Sequence, residues 1–331
     1  MSSAFSPDET WIEVDAQPYP LNDEELLASD ALSFASSLSS SVKKYRFENG
    51  RRYHAYREGE YPFPNDDAEQ DRLDMVHYIF RMVSRGRLYH APLREPVGRI
   101  LDLGTGTGIW AIDIADEMPQ ASVLGNDLSP IQPTCVPPNL EFVVDDIEAV
   151  WPYATTEVFD FIHQRNLVGS ISDWDHLFAQ AHRHLRPGGY YEIQEFRVDF
   201  QSQAAGGLPE DSSLARWQRQ LRDASRRFGK PLNVVQTLAD TLRRQGFVDV
   251  TEQIRKVPIG TWARDEALKR MGILMQDHAI ESVEPLTMAL FTRVLGWSEG
   301  DCRAVVKEVQ AEFTTRPQLF VYMHFIYGRR A

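Results

Sequence analysis

From about residue 98 onward, apolar and polar positions alternate between two rhythms. Short apolar runs recur at 100–103 (ILDL), 122–126 (SVLGN), 140–144 (LEFVV), 159–163 (FDFIH), 190–196 (YYEIQEF), 248–257 and 319–327 (LFVYMHFIY). Each is bounded by turn-forming residues and reads as a strand. Between them, apolar residues return at helical spacing over 110–117, 173–186, 211–227, 232–245, 265–296 and 298–313. Pro119 ends the first of these helices and Pro187-Gly188-Gly189 the second. Residues 129–138 (SPIQPTCVPP) hold too much proline for a helix, so one repeat keeps a loop there. Strands alternating with helices predict an α/β fold with a parallel sheet covered on both faces. Two long helices fall between the last two strands, an insertion at about 264–316 that would sit above the strand ends.

Upstream, Leu73, Val76, Phe80 and Val83 recur at helical spacing, and Asp66-Asp67-Ala68-Glu69 forms a capping box with Asp66 as N-cap. The pattern predicts an amphipathic helix over 67–87. Residues 45–64 (YRFENGRRYHAYREGEYPFP) are dense in aromatics and arginine. Tyr53, His54 and Tyr56 suit either of two roles, packing that helix on the sheet or closing as a lid over a ligand. Residues 1–41 are rich in Ser, Asp and Glu, with at most a short helix at 23–27. The expected organisation is a mobile extension at 1–44, a cap segment and helix at 45–97, and the α/β domain at 98–331.

The stretch Asp102-Leu103-Gly104-Thr105-Gly106-Thr107-Gly108 follows the first strand of that domain and opens a helix. Its glycines remove the Cβ atoms that would keep a ligand from backbone N–H groups at the helix start. A dinucleotide fingerprint needs glycine where Ile109 stands. Asp102, opening the turn, suits a cationic amino acid moiety better than a pyrophosphate. Asp127 ends the second strand, about twenty residues on, where a carboxylate can accept both hydroxyls of a ribose; otherwise it is a turn or capping residue. Asp145-Asp146 end the third strand. Asp146 first, then Asp145, could accept from an adenine amino group beside the Ile147 backbone, or simply form a turn. Thr105 and Leu128 join this set by position. His163 and Glu195, at the ends of the fourth and fifth strands, are the best-placed bases, and His163 could also touch the ligand bound at the glycine turn.

Composition narrows the partners. The chain has 331 residues, a formal net charge of −13, and two cysteines, Cys135 and Cys302. Its basic runs are pairs, such as Arg51-Arg52 and Arg226-Arg227, so no stripe is present to grip a nucleic acid backbone. The cysteines allow neither a disulfide framework nor a metal site. There is no apolar leader or membrane-length run, which predicts a soluble intracellular protein.

Asp102 to Gly108, Asp127, Asp146, FDFIH and HLRPGG together resemble a class I methyltransferase. The segments RRYHAYREGEYPFPNDDAEQDRLD, GIWAIDIADEMP, NDLSPIQP, QRNLVGSISDW, GGYYEIQEF and VYMHFIYGRR make the chain similar to the LaeA-like fungal methyltransferases. The resemblance runs from about residue 45 to the end. It implies a Rossmann-like seven-stranded sheet with the last strand antiparallel, S-adenosylmethionine as cofactor, and a tie to fungal secondary metabolism. Some members of the group look like nuclear regulators that partner velvet-type proteins. Others look like tailoring enzymes that methylate a pathway intermediate. The absence of a nuclear import run favours a cytoplasmic O-methyltransferase with a small-molecule acceptor.

Overall fold

The computed structural model describes residues 11–15, 46–53, 62–154 and 158–331. The short helix expected at 23–27, and His54 and Tyr56, lie outside them. Residues 11–15 fall within the stretch expected to be mobile, yet they are docked: Ile12 is buried and Val14 bridges Ala263.

Strands β1 (Arg46–Glu48) and β2 (Arg51–Tyr53) form an antiparallel hairpin. Asn49 and Gly50 turn it with φ of 52° and 80°, the two left-handed residues a tight hairpin requires. Helix α1 (Asp67–Val83) starts where expected, with the Asp66 carboxylate accepting from Glu69 N–H at 3.1 Å. It ends before residue 87 because Arg85 and Gly86 turn left-handed and Gly86 N–H closes onto the Arg81 carbonyl.

Strands β3 (Arg99–Leu103), β4 (Ser122–Asp127), β5 (Leu140–Val144), β6 (Phe159–Arg165), β7 (Leu185–Ser202), β8 (Phe247–Pro258) and β9 (Leu319–Arg330) form one sheet in the order β5-β4-β3-β6-β7-β9-β8. Neighbours from β5 through β7 pair in parallel, and β9 runs antiparallel to both β7 and β8. The order reverses between β3 and β6, which opens a crevice beyond their carboxyl ends. Two strands outrun their expected ends: β6 continues past His163 to Arg165, and β7 past Phe196 to Ser202.

Helix α2 (Ile109–Glu117) covers one face with its own apolar cluster, and α3 (Trp174–His184) and α5 (Val235–Arg244) cover the other. A third cluster joins α1, α4 (Ser213–Phe228), α6 (Glu266–Leu290) and α7 (Glu299–Thr315) to the outer ends of β7 and β9. Trp217 of α4 is fully buried there, its indole N–H donating to Thr287 at 2.8 Å. The long helix expected at 265–296 is α6 followed by a π-helical turn, Phe291–Leu295, which stops at Gly296 with φ 71°. Among the described residues no helix is long and apolar enough to cross a membrane.

Candidate active site

A cavity of about 1420 Å³, counting the space at its mouth, lies beyond the carboxyl ends of β3, β4, β5 and β6. One end is built from the turns that follow these strands. Gly104, Gly106, Asp127, Leu128, Asp145, Asp146 and Ile147 all line it. Asp127 accepts from Gly106 N–H at 2.8 Å through one carboxylate oxygen and from Ser129 N–H at 2.9 Å through the other. Each oxygen therefore keeps a lone pair for a ligand. Burial pushes this carboxyl up to about 6, against the pull of the Ser129 and Gly106 hydrogen bonds. Asp146 accepts from Glu148 N–H at 2.9 Å and donates its own N–H to Asp145 at 2.8 Å.

The glycines divide the labour. Gly104 has φ 62°, and a Cβ there would lie 2.5 Å from Leu167 Cδ2. Gly108 caps α2 at φ 84°, and its Cβ would lie 2.4 Å from the Phe142 ring. Gly108 is thus a packing glycine and does not line the cavity.

Asp102, Thr105, His163, Glu195 and Tyr53 likewise do not line the cavity. Asp102 is buried, accepting from Thr105 Oγ1 at 2.6 Å and facing His163 Nδ1 at 2.7 Å. The imidazole stacks on Trp110 with ring centroids 3.6 Å apart. Burial holds His163 down at about 4, although Asp102 pulls the other way, so the ring is neutral and donates its Nδ1–H to Asp102. Its Nε2 is enclosed without a hydrogen bond. Glu195 is fully buried and accepts from Leu167 N–H at 2.6 Å, which pins the turn after β6. Burial pushes its carboxyl up to about 8. Neither expected base reaches the cavity, and the cause is strand length: each residue lies inside a strand that continues beyond it. Tyr53 is buried under Arg293, whose guanidinium lies 5.3 Å from its ring.

The other end of the cavity is mostly apolar. Leu73 comes from α1, Phe196, Val198 and Phe200 from β7, Leu167 and Val168 from the turn after β6, and Met275 and Leu286 from α6. In and just before the insertion expected to sit above the strand ends, Met275 lines the cavity, whereas Met271, Leu290 and Phe291 are core and Trp262 and Leu274 pack against it.

A few polar side chains punctuate this end. Arg165, at the tip of β6, donates to Gln194 Oε1 at 3.0 and 2.7 Å, contacts His77 Nδ1 at 3.0 Å, and lies 4.6 Å from the Phe80 ring. Burial lowers it to about 10, which leaves it charged at neutral pH. Arg72 pairs with Glu69 and approaches His278 Nδ1 at 3.3 Å. Lys230 binds Glu148 at 2.6 Å and the Ser170 carbonyl at 2.8 Å. Arg72, Lys230 and His278 carried no local signal in the sequence, since they reach one cavity only when α1, the turn after α4 and α6 converge.

A family model described as a methyltransferase domain matches residues 75–252. The chain belongs to the methyltransferase family. It is 45% identical over 285 residues, 86% of this chain and 87% of the relative, to the methyltransferase pytC of Aspergillus terreus. It is 39% identical to the secondary metabolism regulator LAE1 of Cochliobolus heterostrophus, covering 81% of this chain and 89% of that one. To the secondary metabolism regulator laeA of Aspergillus flavus it is 36% identical over 91% of this chain and 82% of that protein. The sheet order, with β9 reversed, is the Rossmann-like fold of class I methyltransferases. The family's cofactor is S-adenosylmethionine, and the cavity fits it. A Cβ-free turn, an Asp127 carboxylate with spare lone pairs and an acidic residue beside Ile147 line one connected space.

Proposed function

We propose that the protein transfers a methyl group from S-adenosylmethionine to an oxygen atom of a small, mostly apolar intermediate of fungal secondary metabolism. One observation carries this reading: the end suited to a nucleoside and the apolar end are a single cavity, with Arg165 between the strand tips. Asp127 would accept from the ribose hydroxyls and Asp146 from the adenine amino group. The Gly104–Gly106 backbone would meet the amino acid moiety, with Asp102 holding Thr105 and so the shape of the turn. The cofactor supplies a methyl group on a sulfonium, open to in-line displacement.

The chain's own task is to position the acceptor oxygen and favour its charged form. Glu69 and Glu148, the acidic residues of the acceptor end, are committed to Arg72 and Lys230. Arg165 is held by Gln194 and by His77, a histidine that burial holds below its usual range; among the described residues it makes no direct ion pair, although the carboxylates of Asp102, Glu192 and Asp113 act on it at longer range. This arrangement suits an acceptor that brings its own acidity, a carboxylic acid or an acidic enol, and presents an anionic oxygen. Arg165 stabilises that anion, and no proton need pass to a side chain. Incubation of purified protein with methyl-labelled cofactor and a panel of apolar carboxylic acids and enols tests this. Products gaining one O-methyl group support it. N- or C-methylation, or products from neutral alcohols alone, would overturn it.

A regulatory role with a velvet-type protein partner is the second reading, supported by the 39% and 36% identity to proteins named as regulators. The tailoring role goes with a cytoplasmic location, the regulatory one with a nuclear location.

A further inference from the structure

Helix α6 presents one face to the acceptor end of the cavity: Met275, His278, Ser282, Pro285 and Leu286. Two of these are polar, one turn apart, on an otherwise apolar wall. His278 is buried and stacks on Phe196, with centroids 5.3 Å apart and planes 22° from parallel. Its Nδ1 lies 3.3 Å from Arg72 Nη1. A guanidinium only donates, so Nδ1 must offer its lone pair, and the ring proton of a neutral imidazole is then fixed on Nε2. Arg72 is itself anchored by Glu69 across two contacts of the α1 surface. Nε2 is not among the enclosed, unpartnered atoms, unlike Nε2 of His163 and of His324. It is the ring edge left to the cavity.

Resting on the methyltransferase reading above, we infer that His278 is a fixed hydrogen-bond donor that recognises a carbonyl oxygen of the acceptor, and that Arg72 sets its tautomer. Two further observations agree. Burial first, and then the Arg72 charge, holds His278 well below the usual histidine range, so the ring keeps a single proton at neutral pH. Ser282 spends its hydroxyl proton on the Ala279 carbonyl at 2.8 Å, which leaves only lone pairs for a ligand. The wall therefore offers a donor and an acceptor on neighbouring side chains of one helix face, with Cβ atoms about 6 Å apart as usual for an i,i+4 pair. Such a pair selects an apolar molecule that carries a carbonyl oxygen and, close to it, a hydroxyl. It also rules His278 out as a general base: the nitrogen facing the cavity already holds its proton, and the other is engaged with Arg72. His278 is a specificity-determining residue, and Arg72 a positioning residue behind it.

The test uses the full chain loaded with S-adenosylhomocysteine and a carbonyl-bearing fluorescent probe, 6-propionyl-2-dimethylaminonaphthalene. Emission of this probe shifts to the red when its carbonyl accepts a hydrogen bond. His278→Gln keeps a donor near the Nε2 position, and His278→Phe keeps the stack on Phe196 without one. The expected result is red-shifted emission from the wild type and His278→Gln. His278→Phe should give a blue shift and roughly fivefold weaker probe binding, the worth of one hydrogen bond. S-adenosylhomocysteine affinity should be the same in all three, which also shows that each is folded. Nitrogen-15 NMR of histidine-labelled protein should give the neutral Nε2–H tautomer for His278, lost in Arg72→Leu. Identical emission from wild type and His278→Phe, no probe binding, or an Nδ1–H tautomer would overturn the inference. If the wild type fails to bind S-adenosylhomocysteine, the methyltransferase reading falls instead, and the tautomer and probe emission still decide the role of His278.

Discussion

Replacing Glu195 with its neutral isostere should reverse the order of stability between pH 5 and pH 8. The carboxyl is raised from 4.5 to about 8 in the fold, with burial the largest cause. The sign follows from proton counting. Below pH 4.5 folded and unfolded chains both hold the proton, and the group's contribution is fully present. As pH climbs, the unfolded chain releases the proton while the fold retains it, so stability is lost until pH passes about 8. Each unit costs about 1.4 kcal/mol, so the wild type gives up on the order of 4 kcal/mol between pH 5 and 8 through this one group. Glu195→Gln does not titrate. It keeps an oxygen for Leu167 N–H but sets an amide NH₂, with one N–H more than the protonated carboxyl, where Oε2 is enclosed without a partner. That additional orphaned donor costs about 1–3 kcal/mol. The variant should therefore be less stable than the wild type at pH 5 and more stable at pH 8. Urea unfolding of both proteins at pH 5, 6, 7 and 8 measures the difference, which cancels every other titrating group. A difference that stays constant across this range would refute the assignment of the buried, protonated carboxyl. A turnover loss above about a hundredfold with the fold intact would return Glu195 to the chemistry.

Other expectations follow from the same geometry. S-adenosylhomocysteine affinity should fall as pH drops through about 6, because Asp127 must be ionised to accept from the ribose. Calorimetry should show roughly tenfold weaker binding one unit below that pKa, and none of this dependence in Asp127→Asn. Asp127→Ala should itself cost about 1.5–3 kcal/mol of affinity in a protein that still folds. Gly108→Ala forces a Cβ to 2.4 Å from Phe142 at φ 84° and should lower stability by about 2–4 kcal/mol, with part recovered by Phe142→Leu in thermal melts. Met275→Ala and Leu286→Ala should alter acceptor KM and leave S-adenosylhomocysteine affinity unchanged; equal loss of both in titrations would show that α6 shapes the donor end instead.

The turns that line the proposed donor end were legible because their signal is local. Their residues sit at or just after strand ends, so the apolar run places each turn at the cavity. His163 and Glu195 were placed at strand ends by the same logic, but β6 and β7 run further. Two more residues at about 3.3 Å each carry Arg165 to the crevice and leave His163 inside. The acceptor end was not legible, because Arg72 and His278 lie 206 positions apart and meet only through helix packing. The β1–β2 hairpin did carry a local signal, Asn49-Gly50, which its aromatic and arginine-rich surroundings obscured. The helices between β8 and β9 were visible from periodicity. Which part of their apolar faces meets the cavity was not, since most of the apolar face of α6 packs into the core and only Met275, Pro285 and Leu286 of its apolar residues line the cavity.

Methyl-labelled S-adenosylmethionine offers the most direct test of a donor and a small apolar acceptor sharing one cavity. Purified protein is incubated with the labelled donor and a whole extract of a fungal culture, and the label is then partitioned between solvent-extractable small molecules and precipitated protein. The account predicts label in the extractable fraction, in an acidic and mostly apolar compound, abolished by Asp127→Ala. Label confined to the protein fraction, or absent from both, would contradict it.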